Sequence, residues 1–494
     1  MKSFWEEERK YHEEFESIKN NINVSVCIIG GGFTGLSTAY YLSKYLDVVV
    51  LEKDRICSHT SGNTTGKITS QHGLFYDYLK ISQSKEYAKK YLQANEKAIS
   101  NIEDIIKKEN IDCDFEKEKA YVFTTKQTEF DKIKTEQRVV ENLHEVKNKV
   151  VKNISLPIET IGAIEFDNQA KFHPIKYAYG LAKGILKNNG MIFESSKVDD
   201  IKKKNGKYEI YVNNNKVIAD YVVMATRYPI MKIPGYYFLK MYQSTSFAIV
   251  ADVKQELFDG MYISLETPTI SFRTVKDGDK KLLLVVGYDY KTGSDDIKDG
   301  YARLESVIRR MYPEAEILYK WSAEDCITLD KIPYIGEYSN MMPNVFVAAG
   351  FNKWGITSSN LAANIITDKI LKRENEYEDL FKATRVEPIK NRIEVGNMLK
   401  EAGKSIVLSK FKIPKNEEEK IKIGEGKIVN INNRKVGVYK DREGKIYKVN
   451  PVCTHLGCEL YFNNVDKVWE CPCHGSKFSY EGKIIENPAN KNLE

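Results

Sequence analysis

The stretch VSVCIIGGGFTGLSTAYYLSKYLDVVVLEKD, residues 24–54, constrains the fold of this chain more than any other. An apolar run meets a three-glycine turn, an apolar-faced helical segment follows, and a second apolar run closes it, which is the order of a βαβ unit. Such a unit sets two strands parallel and needs helices to cover them, so a parallel sheet is expected at the heart of the chain. One such domain does not exhaust it: 494 residues amount to roughly three domain equivalents at about 150 residues each. With 42% hydrophobic and 29% charged residues a disordered chain is excluded, and no run approaches the roughly 18 apolar residues that cross a bilayer. The 75 basic residues are interleaved with 69 acidic ones rather than gathered on a stripe, so nucleic acid is not an expected partner. Residues 1–20 are too acidic for a secretory leader and lack an apolar centre, so a cytoplasmic location is expected.

The glycines have the spacing of a phosphate cradle. Gly30, Gly32 and Gly35, with Phe33 and Thr34 between the last two, form G-x-G-x-x-G after a strand and at a helix start, and Glu52 ends the second strand 22 residues after Gly30. In this arrangement the first glycine permits the turn, the second admits a pyrophosphate to the backbone, the third lets helix pack on strand, and the carboxylate takes ribose hydroxyls. The helix N-terminus stabilises the phosphate charge. A dinucleotide is therefore expected; the alternative is a glycine turn in an unrelated βαβ unit.

Two further segments narrow the choice: SHTSGNTTGK at 58–67 and PNVFVAAGFNKWGITSSN at 343–360. Together with the glycine turn they resemble the FAD-binding segments of the D-amino-acid oxidase and sarcosine oxidase superfamily, over about residues 22–370. The resemblance implies FAD, held through Gly30, Gly32, Phe33, Thr34, Gly35, Glu52, Lys53, Thr60, Ser61, Thr65, Gly66 and Lys67. It also implies a second glycine-bearing turn, Gly350, Trp354, Gly355, Ile356 and Thr357, whose helix end faces the flavin pyrimidine ring and favours anionic reduced flavin. Ala225 and Thr226 match the family's third sheet segment, where Arg227 replaces a common glycine, and Val198 matches the residue that contacts adenine through its backbone.

The resemblance is weaker on substrate. Relatives often present an arginine to a substrate carboxylate; near one such position, in WSAEDCITLDKIPYIG, this chain has Asp325 and Cys326. Arg273, in SFRTV, is the expected replacement, the alternative being a salt-bridged sheet arginine. Lys67, His72 and Lys353 are the other expected catalytic residues, with Tyr288 and Lys291 as further polar candidates. His72 is a base or a hydrogen-bonded structural histidine, Lys353 a substrate partner or a surface lysine, and Cys326 a covalent flavin tether or a buried inert thiol. Hydride transfer from a C–H next to nitrogen needs a neutral amine and a close carbon rather than an obligatory protein base.

Near the C-terminus, Cys453-x-His455 is followed after fifteen residues by Cys471-x-x-His474. Two thiolates and two imidazoles suit a Rieske [2Fe-2S] centre, where histidines replace cysteines on one iron, or a tetrahedral zinc site. The surrounding glycine and proline positions resemble full Rieske boxes. That resemblance implies Cys453 and Cys471 on one iron, His455 and His474 on the other, and a disulfide between Cys458 and Cys473; the alternative is two reduced thiols. It also implies a hydroxyl bond from Ser476 to a cluster sulfide. Phe478 stands where high-potential relatives carry tyrosine, so the expected potential falls below the upper end of roughly −150 to +300 mV. No histidine–histidine–carboxylate spacing for a mononuclear iron is visible outside these loops, which disfavours an oxygenase.

The expected fold is α/β: a Rossmann-like FAD-binding domain interleaved with an α+β substrate domain of mostly antiparallel sheet, followed by a small all-β Rieske domain. The expected boundaries are 1–372 for the flavoprotein unit (FAD-binding parts about 22–75, 155–230 and 325–372; substrate parts about 76–154 and 231–324), 373–420 for a helical connector and 421–494 for the Rieske domain. The expected function is oxidation of a small amine or amino acid by hydride transfer to FAD, with electrons passed singly through the cluster to an acceptor protein or quinone. The alternatives are an electron relay or redox sensor with no dedicated substrate, and a peroxide-producing oxidase with a structural Rieske module.

Overall fold

A computed structural model describes residues 2–231, 233–294, 299–385 and 421–494. The expected connector, 373–420, lies outside them from residue 386 onward.

The βαβ unit forms as the sequence dictates. Strands Ile22–Ile29 and Val48–Leu51 pair in parallel, and Asn215–Met224 and Val345–Ala349 extend the sheet on the other side. The sheet is eight-stranded, with Tyr334–Glu337 and Met191–Phe193 at the ends of its main order and the hairpin Val198–Lys204/Lys207–Val212 attached to Asn215–Met224. All four residues of Val48–Leu51 are buried, as a strand covered on both faces requires. Helices Phe33–Leu42 and Gly355–Ile370 pack on each other over one face, with Lys85–Lys108 behind them. Lys85–Lys108 starts where the Ser84 side chain accepts a hydrogen bond from Tyr87 N at 3.0 Å, and its buried stripe includes Tyr91, Leu92, Ile99, Ile102 and Ile106.

A second, nine-stranded sheet carries the long antiparallel strands Met241–Asp252, Ile270–Asp277, Lys280–Lys291 and Glu316–Thr328. Two expectations are corrected here. Gly162–Lys171, expected within the FAD-binding part, belongs to this sheet because it pairs antiparallel with Glu116–Thr124 and Asn148–Val151. Glu316–Thr328 runs across the expected boundary at 324/325 as one edge strand. Ahead of the first strand, Phe4–Tyr11 forms a 3-10 helix in which Phe4 and Trp5 are buried and Arg9 donates to Ile56 O at 2.7 Å.

Residues 421–494 form two small antiparallel sheets. One comprises Gly426–Ile431, Arg434–Lys440 and Ile446–Val449; the other comprises Tyr461–Asn463, Val468–Glu470, Lys477–Ser479 and Ile484–Glu486. Trp469 is fully buried between them and the cluster cysteines. No helix among the described residues is long and apolar enough to cross a membrane.

Candidate functional site

A cavity of about 1170 Å³ opens at the carboxyl ends of the parallel strands, where Gly30, Glu52, Ala225 and Gly350 each follow a strand and line it. Gly30 has φ +106°, and a Cβ there would stand 2.8 Å from Ala225 O; a Cβ on Gly35 would stand 1.9 Å from Gly30 O. Helix and strand therefore touch through glycine, and the turn leaves Gly32 beside only the Ser61 side chain. Glu52 is pinned at the strand end: Gly31 N donates to Oε2 at 2.7 Å and Asp54 N to Oε1 at 3.0 Å.

Most expected dinucleotide residues meet in this cavity. Gly30, Gly32, Phe33, Thr34, Glu52, Lys53, Thr60, Ser61, Thr65, Lys67 and Val198 line it, as do Ala225, Thr226, Gly350, Trp354, Gly355 and Ile356. Gly35, Gly66 and Thr357 stand behind the wall. Arg227, in place of a glycine, also lines it, and its buried Nε has no acceptor among the described residues. Helix Gly355–Ile370 begins at Trp354 with no side-chain cap, so its first N–H groups are left for an outside acceptor. An open glycine turn, an uncapped helix end and an orphaned guanidinium N–H as donors, with a pinned carboxylate as acceptor, fit FAD.

Beyond the turns, several charged side chains line the cavity. Lys67 Nζ donates to Tyr262 O at 2.8 Å and Ser271 Oγ at 2.6 Å; burial first, and Arg273 second, pull its ammonium down to about 7. Lys353 Nζ pairs with Asp289 Oδ2 at 2.9 Å and donates to Ser246 Oγ at 3.2 Å. Burial lifts the Asp325 carboxyl to about 6 against the pull of Lys353 and Arg227. Cys326 lines the wall as a protonated thiol, pushed up to about 12 by burial.

Two expected catalytic residues are elsewhere. Arg273 points away from the cavity: its guanidinium donates to Gly66 O at 2.6 Å and Phe172 O at 3.3 Å and lies over the Trp5 ring. It braces the Gly66 turn from outside the cavity lining. His72 is buried behind Trp354, stacked on it with ring centroids 4.7 Å apart, and bonded to Tyr91 Oη and Thr69 O. Burial holds it neutral, down to about 3, so it supports the turn at Trp354 from behind rather than entering the cavity. Tyr288 and Lys291 are likewise outside the lining.

The Cys/His loops converge. In each, the first cysteine's N–H donates to the carbonyl five residues on and its own carbonyl accepts from the glycine four residues on: Cys453 with Cys458 and Gly457, Cys471 with Ser476 and Gly475. The ring centroids of His455 and His474 are 4.9 Å apart. Cys453 hydrogen-bonds Cys471, and this contact, against burial and with backbone N–H groups and Ser476 assisting, lowers its thiol to about 7. Cys458 and Cys473 are joined, with Cα atoms 6.6 Å apart. Ser476 Oγ accepts from Ala489 N at 3.0 Å. Two paired thiols facing two adjacent imidazoles between tied loops fit a [2Fe-2S] centre with two histidine ligands.

No motif marks the seam between this module and the cavity. Lys477 Nζ lies between Glu324 Oε1 at 2.6 Å and Glu470 Oε1 at 3.1 Å, with only 4% of its side chain exposed. Burial lowers that ammonium, but Glu324 and Glu470 outweigh it and hold it well above the lysine range. Glu470 also accepts from Gly293 N at 2.8 Å and Tyr290 Oη at 2.9 Å. Gln243 Nε2 donates to His474 O at 2.7 Å and Asn487 O at 3.0 Å. Phe238 meets both histidine rings edge-on, 5.7 Å from His474 and 6.4 Å from His455. Residues 484–490 of the module line the dinucleotide cavity itself.

Comparison with known proteins agrees with both ends. A model described as FAD dependent oxidoreductase matches residues 25–369, and one described as Rieske [2Fe-2S] domain matches residues 411–494. YhfW of Bacillus subtilis, named for a Rieske 2Fe-2S iron-sulfur centre, is 33% identical over 482 residues, 97% of this chain and 94% of its own. The gamma-glutamylputrescine oxidoreductase of Escherichia coli is 23% identical over 397 residues, 77% of this chain and 91% of its own. Among solved structures, glycine oxidase from Geobacillus kaustophilus superposes with a TM-score of 0.63 at 19% identity, covering 74% of this chain and all of that one.

Proposed function

The chain belongs to the FAD-dependent oxidoreductase family and ends in a Rieske [2Fe-2S] domain, and from that premise we propose that it oxidises a small amine or amino acid and passes the electrons singly through the cluster to an external acceptor. When bound, FAD supplies a two-electron hydride acceptor and the cluster a one-electron carrier. The chain's own residues prepare the substrate. An amine must lose its proton before its C–H gives up hydride, and Lys67, held near neutral pH by burial, is suited to accept it. A neutral Lys67 can keep its bonds to Tyr262 O and Ser271 Oγ and still offer a lone pair. The Lys353–Asp289 pair and Asp325 supply charges of both signs for orienting an amine and a carboxylate. Since the Arg273 guanidinium is held by Gly66 O and Phe172 O outside the cavity lining, Lys353 is the candidate partner for a carboxylate. The name of the Escherichia coli relative supports an amine substrate.

One observation carries the electron path. Gln243, which bonds the carbonyl of cluster ligand His474, stands opposite Cys326 in the strand pair Met241–Asp252/Glu316–Thr328, and Cys326 lines the flavin cavity. A single strand pair thus connects cavity wall and cluster loop. The Lys67, Lys353, Asp289 and Asp325 side chains in the cavity lining support an enzyme rather than a bare relay. The test is an anaerobic stopped-flow survey of amines and amino acids that follows flavin bleaching together with the EPR signal of the reduced cluster. Bleaching followed by growth of that signal is expected. If no compound bleaches flavin while a reduced carrier protein reduces both centres, the relay takes its place.

A further inference from the structure

Arg227 is the one cavity-lining arginine, and among the described residues it reaches both halves of the molecule. Its NH2 pairs with Glu486 Oε2 of the C-terminal module at 2.8 Å, and its NH1 lies 3.4 Å from Thr60 Oγ1 and 3.6 Å from Glu324 Oε2. Its Nε is buried with no protein acceptor among the described residues. Around it, the module closes on the cavity: Asn487 Nδ2 donates to Tyr228 O at 3.1 Å, Lys53 Nζ to Ile485 O at 3.1 Å and Lys197 Nζ to Asn490 O at 2.8 Å. The strip 226–228 is therefore a cavity wall on one side and a docking surface on the other.

We propose that Arg227 couples dinucleotide occupancy to docking of the C-terminal module: its free Nε–H holds an acceptor atom of bound FAD while its Nη2 holds Glu486. A cation fixed by the module is pre-oriented for the cofactor, and a cofactor on Nε fixes the cation for the module. Each event then strengthens the other by the same factor, as binding linkage requires. The module is in this view a structural part of the flavin site as well as an electron carrier. The inference rests on the shown cofactor and not on the direction of electron flow, so it stands or falls separately from the proposed reaction.

The test uses the full-length holoprotein and two readouts that need no substrate. The first is flavin release after dilution into FAD-free buffer, followed by the fluorescence of free FAD, with the cluster's visible absorption confirming an intact module. Arg227→Met is expected to release flavin about tenfold faster or more, the loss of a hydrogen bond to a charged group. Glu486→Gln should release it faster by a smaller factor, Arg227→Lys should lie between wild type and Arg227→Met, and the double variant should be no worse than Arg227→Met because both act through one contact. The second readout is hydrogen exchange of amides 484–487, 489 and 490 in wild type with and without bound FAD. Slower exchange in the holoprotein is expected. Equal exchange with and without FAD, or flavin release from Arg227→Met at the wild-type rate, overturns the coupling. The exchange comparison uses no variant, so a failure of Arg227→Met to fold leaves the question decidable.

Discussion

The loops at 453–458 and 471–476 repeat one short design, each bonding cysteine to carbonyl and glycine within six residues, whereas the seam that presses them against the flavin cavity joins residues far apart in sequence. Lys477 and Glu324 are 153 positions apart, Arg227 and Glu486 259, His59 and Glu486 427. The first region is specified by local backbone geometry, which any chain with those residues at those spacings can adopt. The second is specified by charges that must arrive together from five separate segments and lose their water on arrival. Local motifs create the two cofactor sites; the buried ionic seam makes them one molecule. Breaking each in turn separates their contributions.

The largest effect is expected at the centre of the seam. Lys477→Met keeps most of the side-chain volume but leaves Glu324 and Glu470 facing one another without their cation. Stranding buried carboxylates in this way costs about 3–5 kcal/mol, read as a lowered urea midpoint followed by cluster absorption. A loss below about 1 kcal/mol would mean that the bonds from Gly293, Tyr290 and Asn463 satisfy Glu470 unaided. The local region should give a somewhat smaller effect. Replacing both Cys458 and Cys473 by serine opens a tie between residues separated by 15 positions, worth about 3 kcal/mol for a loop of that length. The cluster should be lost at lower denaturant, while flavin absorbance holds to nearly the wild-type midpoint. Simultaneous loss of both chromophores would show that the seam transmits the damage.

The same contrast explains what was legible in the sequence. G-x-G-x-x-G with Glu52, the turn at 350–357 and the two Cys/His boxes are contiguous, and the structure gathers nearly all their residues around one cavity and one cluster. Arg273 and His72 were misplaced for a definite reason. Arg273 is two residues from cavity-lining Ser271 and shares its face of the strand, but it lies further along, outside the lining, where Gly66 O and Phe172 O receive its guanidinium. His72 follows a cavity-lining run, yet the chain turns inward there and stacks it behind Trp354. Arg227 is visible only as a departure from a common glycine, and nothing in the sequence points to its partner Glu486. Lys477, Glu470 and Glu486 left no signal, because a charged residue in a short strand reads as a solvated face until its partner is known.

In the cavity, Lys67→Met tests whether an unmotivated lysine does chemistry. With an amine substrate, kcat/KM of the wild type should rise through about pH 7 as Lys67 loses its proton. The variant should lose that limb and fall about 100-fold, the usual contribution of one general base. A variant that keeps the limb would assign the proton to another group.

The pH dependence of the seam sharpens the comparison, because His59 titrates within it while the backbone and disulfide bonds that tie the loops carry no titrating proton. His59 bridges Asp54 Oδ2 at 2.6 Å and Glu486 Oε1 at 2.8 Å, with Lys53 and Arg227 as the nearby cations. Burial opposes its charge, but Glu486 and Asp54 outweigh both burial and Lys53 and lift it from 6.5 to about 10. A histidine whose folded value is raised stabilises the fold fully below the unfolded value and loses that contribution as pH climbs through the folded one. The seam should therefore weaken between about pH 6.5 and 10, just where the amide and disulfide bonds of the loops are indifferent to protons. Urea midpoints at pH 6, 8 and 10 should fall in the wild type and fall less steeply in His59→Gln, which can bond both carboxylates' neighbourhood without titrating. Parallel slopes in the two proteins would remove His59 from the latch and leave Arg227 as the contact that holds Glu486.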